Sequence, residues 1–309
     1  MPAATSADYA RFDSLNAPVA APGAPTVLRV LLGAQLRRLR ESRDITAAEA
    51  ARAIRGSESK ISRIELGRNS VREVDVADLL DLYGITGTAE REQLLNLASQ
   101  ANEHGWWYHY QDVLPAWFQA YLGLEESARF IRSFDVQFVP GLLQTEEYSQ
   151  AVIELGSYPH ESTERMVQLR QERQRRFAAG GLRLSAVIDE GALRRPVGSA
   201  SVMRLQLRHL MELADRPGLT IQVTPLRTGA SYAAPGSFSI LTFAAEELPD
   251  VVYVEQLTSA LYLDKPSDVE RYGQALDLIS ATSTPPDQTR QFIWSMLTEQ
   301  EEGCGARPG

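Results

Sequence analysis

The chain has 309 residues, 44% of them hydrophobic and 23% charged, and its formal net charge is -9 at pH 7. This composition is typical of a globular protein with a substantial core, and the length suits a small domain followed by a medium one. Cys304 is the one cysteine, no apolar run approaches the roughly 20 residues of a membrane span, and no signal peptide is recognisable, so we expect a cytoplasmic protein without disulfides.

The N-terminal part of the sequence changes from a low-complexity segment to helical patterns. Residues 1–26 are rich in Ala, Pro, Ser and Gly, which predicts a disordered lead-in. Leucines at helical spacing over 27–42 predict the first helix. Thr46 and Glu49 then form a capping box, which predicts an alanine-rich second helix over 46–54.

A third short helix follows after a tight turn. It is predicted between Ser57, its N-cap, and Gly67, where it stops. Further helices are predicted at 74–83 and 88–101 from their apolar spacing. We therefore predict an all-α, five-helix, helix-turn-helix domain over 28–101.

Charge is distributed unevenly along the chain. Residues 28–72 hold 11 basic and 5 acidic side chains, whereas the remainder holds 20 basic and 35 acidic ones. A basic segment in an acidic protein attracts a polyanion such as DNA. A solvated helix face would give the same composition, so charge alone leaves both interpretations open.

The third helix has one apolar and one polar face. Ile61 and Ile64 point towards the second helix, while small polar and basic side chains are left outward. Such a surface suits the major groove of DNA, and we predict that Ser59, Lys60 and Arg63 contact bases. An ordinary surface helix in an all-α core is the alternative interpretation.

Phosphate contacts are predicted at both ends of this helix. Ser57 lies at its start, where backbone N–H groups can hold a phosphate. Arg68 and Asn69 follow Gly67, where a loop can hold the sugar-phosphate backbone.

This segment resembles the Cro/C1-type (XRE-like) helix-turn-helix family. The matching positions occur without a gap and are Thr46, Ala51, Ile54, Ser57, Ile61, Ser62, Ile64, Glu65 and Gly67. The resemblance implies the five-helix fold and sequence-specific binding to double-stranded DNA. This sequence departs from the family at the turn. The family has Gly followed by an aliphatic residue there, whereas this chain has Arg55-Gly56, so we expect a turn shifted by one residue.

A second domain is predicted after an aromatic linker over 102–114 that docks on it. The helical pattern beginning at Tyr121 continues to about Arg132, and "FDVQFVPGLLQ" follows as extended chain. Later segments alternate between strand and helix patterns, which predicts an α+β domain with a mostly antiparallel sheet over 115–298 and a flexible tail over 299–309. The predicted strands are 184–188, 220–223, 237–243, 251–255 and 260–263, and the later helices include 267–279 and 287–298.

Several motifs of the second domain resemble the DUF5753 module. In chain order they are "FVPGLLQTEEYSQAVI", "RQERQRRF", "VIDEGALRRPVG", "MRLQLRHLMEL", "IQVTPLRTGA", "FSILTF" and "VVYVEQL". This module is similar to the effector half of actinobacterial regulators of the WhiJ type. The resemblance implies an antitoxin-like regulator whose second domain binds a small DUF397-like protein.

We predict no enzyme activity, cofactor or metal site. Asp189 and Glu190 are adjacent at a strand end and face opposite sides, so they are expected to be surface acids or ion-pair partners of the arginines that follow. Glu255 is interpreted in the same way. The four histidines lack metal-ligand spacing, and there is no Gly-rich phosphate loop or nucleophilic Ser elbow.

The sequence therefore predicts a DNA-binding transcriptional regulator. We expect a homodimer, because a single short recognition helix makes too few contacts for tight specific binding. The alternative is a ligand-responsive regulator, in which the aromatic residues over 106–121 and the sheet form a pocket that senses a small molecule.

Overall fold

The computed structural model describes residues 25–67, 70–156, 159–228, 236–244 and 248–305. The predicted lead-in, apart from its last two residues, lies outside these ranges. The first part of the chain is helical, and its helices are α1 (Pro25–Ser42), α2 (Ala47–Ala53), α3 (Glu58–Glu65), α4 (Glu73–Leu82) and α5 (Thr88–Ala101). The first helix begins two residues before its predicted start, at a proline, whose fixed φ suits the first turn of a helix.

One hydrophobic cluster holds these helices together. Its fully buried members come from every helix and include Leu32, Leu36, Ala50, Ile54, Ile61, Ile64, Leu79, Leu80, Tyr83, Leu94 and Ala98. The alanines keep α2 slim, which lets α3 and α4 pack close to it.

Two glycines allow α1 and the end of α3 to touch through their backbones. A Cβ atom on Gly33 would lie 2.4 Å from the carbonyl oxygen of Ile64. A Cβ atom on Gly67, which has a φ of +62°, would lie 2.6 Å from the Cα of Val30. Only glycine satisfies both the left-handed backbone and the close approach at residue 67.

The second part of the chain contains both helices and strands. The helices are α6 (Ala116–Ser127), α7 (Glu146–Glu154), α8 (His160–Ala179), α9 (Glu190–Arg194), α10 (Ala200–Leu213), α11 (Pro266–Thr282) and α12 (Pro286–Gly305). The strands are β1 (Ala128–Asp135), β2 (Arg183–Asp189), β3 (Leu219–Thr224), β4 (Phe238–Phe243), β5 (Val251–Glu255) and β6 (Ala260–Leu263). The last helix passes the predicted end of 287–298 by seven residues.

The six strands of the described region form a mixed sheet in the order β3-β2-β1-β4-β5-β6. β2 is parallel to both β1 and β3, whereas β1–β4, β4–β5 and β5–β6 are antiparallel. The prediction of a mostly antiparallel sheet is therefore wrong. The chain passes through α7 and α8 between β1 and β2, and through α9 and α10 between β2 and β3, and such long helical connections return a strand in the parallel direction.

Residues 128–132 also differ from their prediction, because β1 begins where the sequence pattern indicated a continuing helix, whereas its last residues were predicted as extended chain. Ile131 packs on the face of the sheet that contacts the large helical cluster, whereas Phe134 packs on the opposite face against α11. A central strand is buried on both faces, so its apolar residues lose the simple alternation that identifies an edge strand.

The two faces of the sheet carry different helices. The larger cluster includes buried residues of α6, α7, α8, α10 and α12, among them Tyr121, Tyr148, Phe177, Leu207 and Ile293. The smaller cluster joins the opposite face to α11 through Ala275, Leu276 and Ile279.

The helix α1 belongs to both parts of the molecule. Its Val27 is buried in the core of the second part, while Leu32 and Leu36 are buried in the core of the first. At the crossing with α6, a Cβ atom on Gly123 would lie 2.5 Å from the Cβ of Thr26. The two cores are therefore joined by one continuous helix.

The aromatic segment 102–114 packs against α6 and α8. Trp107 is buried with Leu114, Leu122 and Leu169. The guanidinium of Arg176 lies 4.5 Å from the ring centre of Trp106, a cation–π contact. The exact limits of the two domains remain a prediction.

Candidate nucleic-acid interface

The helix α3 presents a polar surface on a fixed apolar base. Ile61 and Ile64 are 1% and 4% exposed and belong to the helical core. Ser59, Ser62 and Arg63 are exposed on the other side. The predicted division into two faces is therefore present for these residues.

Caps at the starts of α2 and α3 confirm the predicted helix boundaries. The side chain of Thr46 accepts a hydrogen bond from the backbone N–H of Glu49, whose carboxylate accepts one from the N–H of Thr46. The hydroxyl of Ser57 accepts a hydrogen bond from the N–H of Lys60 at 3.2 Å. Both caps satisfy backbone donors that a helix start leaves free.

An ion pair fixes the end of α3 against α1. Arg40 Nε and Nη2 donate to the two carboxylate oxygens of Glu65 at 2.6 and 3.0 Å. Both side chains are about nine-tenths buried, at 12% and 9% exposure, so this bidentate contact is shielded from water. Burial, assisted by the charge of Glu65, also raises the pKa of the adjacent Tyr83.

Lys60 points to α4 rather than outward with Ser59 and Arg63. Its Nζ atom lies 2.8 Å from Oδ2 of Asp75, a residue that is only 1% exposed. A Cβ atom on Gly56 would lie 2.9 Å from Lys60 Cδ, so the lysine stem lies directly over this glycine. The structure thus gives the ammonium group a partner inside the domain, and its predicted contact with a base remains untested.

Asp75 gathers a second cation at the same place. Arg72 Nη2 and Nε donate to its two oxygens at 2.6 and 3.1 Å. Burial alone would raise the pKa of Asp75, but the hydrogen bonds from Arg72 and Lys60 outweigh it and the pKa lies below its ordinary value. Sequence reasoning missed this cluster, because Asp75 lies fifteen residues from Lys60.

The turn between α2 and α3 places its left-handed residue at Arg55. Its φ is +51°, directly after Ile54, and Gly56 does not have a positive φ. Arg55 stands where the resembling family has glycine, so the expected one-residue shift of the turn is wrong. The chain tolerates an arginine in a conformation that glycine adopts more easily.

The three predicted phosphate-binding residues have different outcomes. Ser57 is exposed and its hydroxyl acts as the helix cap described above. Arg68 and Asn69 lie outside the described residues. The described part of the predicted site therefore brings together Ser57, Ser59 and Arg63 on the solvent side of α3.

Two protein-family models match the chain. One described as "Helix-turn-helix domain" covers residues 31–94, and one described as "Domain of unknown function (DUF5753)" covers residues 118–295. The chain belongs to the DUF5753 family. Searches among curated proteins and among solved structures gave no match.

The helix-turn-helix domain indicates a DNA-binding regulator. Across the described ranges, no helix combines the length and apolar character needed to cross a membrane. Within the same ranges, no three His, Cys, Asp or Glu side chains are grouped so that they could hold a metal ion.

The acidic residues considered for catalysis in the DUF5753 domain have structural partners. Asp189 caps α9 by accepting a hydrogen bond from the N–H of Gly191 at 2.7 Å. Glu190 accepts hydrogen bonds from Arg194 and from the backbone N–H of Leu226, at 2.5 and 2.8 Å. The predicted pairing of these acids with a following arginine is confirmed for Glu190.

Among the described residues of the DUF5753 domain, the most deeply buried ion pair joins α6 to α8. Arg173 Nε and Nη2 donate to the two oxygens of Glu125 at 2.8 and 2.7 Å, and each side chain is less than 10% exposed. The guanidinium also lies over the rings of Phe118 and Tyr121, at 5.3 and 5.6 Å from their centres. Since α6 also contacts α1, this pair belongs to the connection between the two domains.

Proposed function

We propose that the protein is a cytoplasmic, sequence-specific transcriptional regulator that inserts α3 into the major groove of double-stranded DNA. The observation that carries the proposal is the exposed polar face of α3, held in place by the buried Arg40–Glu65 pair. A helix of this kind must be positioned firmly, because base readout depends on hydrogen bonds of fixed geometry.

Within that proposal, Ser59 and Arg63 are the base-contacting residues. Both are exposed, and no ion pair within the described ranges holds Arg63. Ser57, Arg68 and Asn69 are proposed to contact phosphates. Lys60 contacts a base only if DNA displaces Asp75 from its ammonium group.

The proposed assembly is a homodimer with a small protein partner. One α3 offers a short contact surface, and two copies on half-sites about 34 Å apart would supply the contacts that tight binding needs. The DUF5753 domain is proposed to bind a small DUF397-like protein, which would make the chain antitoxin-like. Light scattering at micromolar concentration should give about twice the 34.2 kDa of one chain, and a monomer mass would contradict dimerisation.

The role of Arg63 provides the test of the DNA-binding proposal. We expect Arg63→Ala to weaken binding to the specific site by about 1–3 kcal/mol while binding to random DNA changes little. The matched control is Arg271→Ala, which removes the same charge from an exposed position on α11 in the other domain. An equal loss on both DNAs would make Arg63 a phosphate contact, and no loss on either would remove α3 from the interface.

A further inference from the structure

A row of polar side chains lies on the face of the sheet that packs against the larger hydrophobic cluster, at one end of three neighbouring strands. The register pairs Ser133 of β1 with Ser239 of β4, and Ser239 with Tyr253 of β5. Side chains alternate along a strand, so Asp135 and Glu255 continue the same row by one step. This face is otherwise the apolar one that packs under the helices.

Two basic side chains of α8 lie close enough to this row for the charge of Glu255 to act on both of them. Arg173 is paired with Glu125, as described above, and Arg170 lies one helical turn before it. A Cβ atom on Gly141 would lie 3.4 Å from Arg173 Nη1 and 3.7 Å from Arg170 Nε. The backbone of Gly141 therefore packs close to both guanidinium groups. We call this region the polar chamber. Its residues are Ser133, Asp135, Gly141, Arg170, Arg173, Ser239, Tyr253 and Glu255.

Two opposite charges of the polar chamber have no ion-pair partner among the described residues. The hydrogen-bond partner of Arg170 is the neutral side chain of Gln144, at 2.5 Å. Asp135 accepts a hydrogen bond from the hydroxyl of Ser133 at 2.7 Å. Both are only partly exposed, and burying a charged group without an ion pair is costly. The charge of Glu255 acts favourably on Arg170, but the two side chains form no ion pair within the described ranges.

The pKa values reflect the same situation. Burial, with a contribution from the charge of Arg173, lowers the pKa of Arg170 to about 10. Burial raises the pKa of Asp135 to about 7, and the charge of Glu255 acts in the same direction. Glu255 is itself exposed and accepts a hydrogen bond from the hydroxyl of Tyr253 at 2.9 Å, so it stands where the chamber meets solvent.

We propose that the polar chamber binds a small zwitterion of the amino-acid class, with its carboxylate on Arg170 and its ammonium group beside Asp135 and Glu255. A guanidinium fork fits a carboxylate through two parallel hydrogen bonds. A ligand with both charges satisfies both unpaired groups without changing the net charge of the site. A simple anion would be repelled by the carboxylates of Glu255 and Asp135. A simple cation would be repelled by the guanidinium groups of Arg170 and Arg173.

The direct test measures binding of the standard amino acids to the full-length protein at millimolar concentration, by thermal shift and by calorimetry. We expect at least one of them to bind, and its decarboxylated amine and its deaminated acid to bind about tenfold more weakly or not at all. Arg170→Gln and Asp135→Asn should each weaken binding by about tenfold or more. The matched control, Arg175→Gln, lies on the same helix, is 70% exposed and pairs with Glu172, and should leave binding unchanged.

Several results would overturn the proposal. They are the failure of every standard amino acid to bind, unchanged affinity in Arg170→Gln, and equal binding of acetate or inorganic phosphate, which would indicate a plain anion site. If Arg170→Gln does not fold, Arg170→Lys keeps the charge, loses the planar fork and should still weaken binding. The assay contains no DNA, so its failure is independent of the proposed DNA-binding function.

Discussion

Substitutions that break the contact between Lys60 and Asp75 test whether Lys60 holds α3 in place or contacts DNA. Lys60→Met removes the ammonium group and keeps an unbranched stem over Gly56. Asp75→Asn keeps the shape of the buried side chain and removes its charge. Together the two substitutions and their double variant form a double-mutant cycle for this ion pair.

The expected coupling energy follows from the burial of the two partners. Asp75 is almost fully buried, whereas the Lys60 side chain is 32% exposed, so the pair lies between a surface pair and a buried one. Exposed pairs contribute about 0.2–1 kcal/mol and breaking a buried pair costs about 3–5 kcal/mol, which places the coupling at about 1–2 kcal/mol. Arg72 remains to hold Asp75 in the Lys60 variant, which keeps the value towards the lower end.

The coupling should also depend on pH. The pKa of folded Asp75 lies below its ordinary value, so its contribution is complete above the unfolded value of about 3.9 and is lost as the pH falls through the folded pKa. Amide hydrogen exchange of Ile61 and Ile64 reports the opening of α3 directly. This local measurement is useful because α1 joins two cores, so that global unfolding does not report on α3 alone. A coupling below about 0.3 kcal/mol, together with a loss of specific DNA binding in Lys60→Met, would refute the structural role.

Three further substitutions test the backbone and the buried charges. Gly67→Ala should lower the stability of the helix-turn-helix domain by about 2 kcal/mol or more in urea unfolding. The reason is that residue 67 has a φ of +62° and an added Cβ would clash with the backbone of Val30. An unchanged free energy of unfolding would contradict this geometry. Arg55→Gly should raise the melting temperature, through about 1 kcal/mol of relieved strain at a left-handed residue, and a lower melting temperature would show that the arginine makes an unrecognised contact. Glu125→Gln leaves Arg173 buried without a counter-charge and should cost about 3–5 kcal/mol by thermal unfolding; a loss under 1 kcal/mol would mean that water reaches the pair.

Local features of the helix-turn-helix could be predicted because the signals lie close together in sequence. The capping box of Thr46 and Glu49 and the cap at Ser57 each involve residues three apart. The inward direction of Ile61 and Ile64 follows from helical spacing alone. These features place α2 and α3 without knowledge of the remaining chain.

Other features depend on parts of the chain that are distant in sequence. The direction of Lys60 is set by Asp75 on α4, which no local pattern identifies. The strand β1 continues directly from α6, and its burial on both faces depends on α11, more than 130 residues later. The parallel pairing of β2 was missed because the intervening helices were not interpreted as connections between neighbouring strands.

The polar chamber likewise depends on residues that are distant from one another in sequence. Asp135, Arg170 and Glu255 come from β1, α8 and β5, so no motif contains more than one of them. Glu255 could be noticed as an acid at the end of a strand, but its neighbours required the sheet order. Sequence patterns therefore located α3 better than they located a candidate site built from several elements.

The most direct test of the account is a gel shift with the DNA upstream of the protein's own gene, titrated against unlabelled random competitor. We expect a complex that resists competitor and weakens selectively in Arg63→Ala. Displacement of the protein by the unlabelled random DNA, or the absence of any complex, would contradict sequence-specific DNA binding through α3.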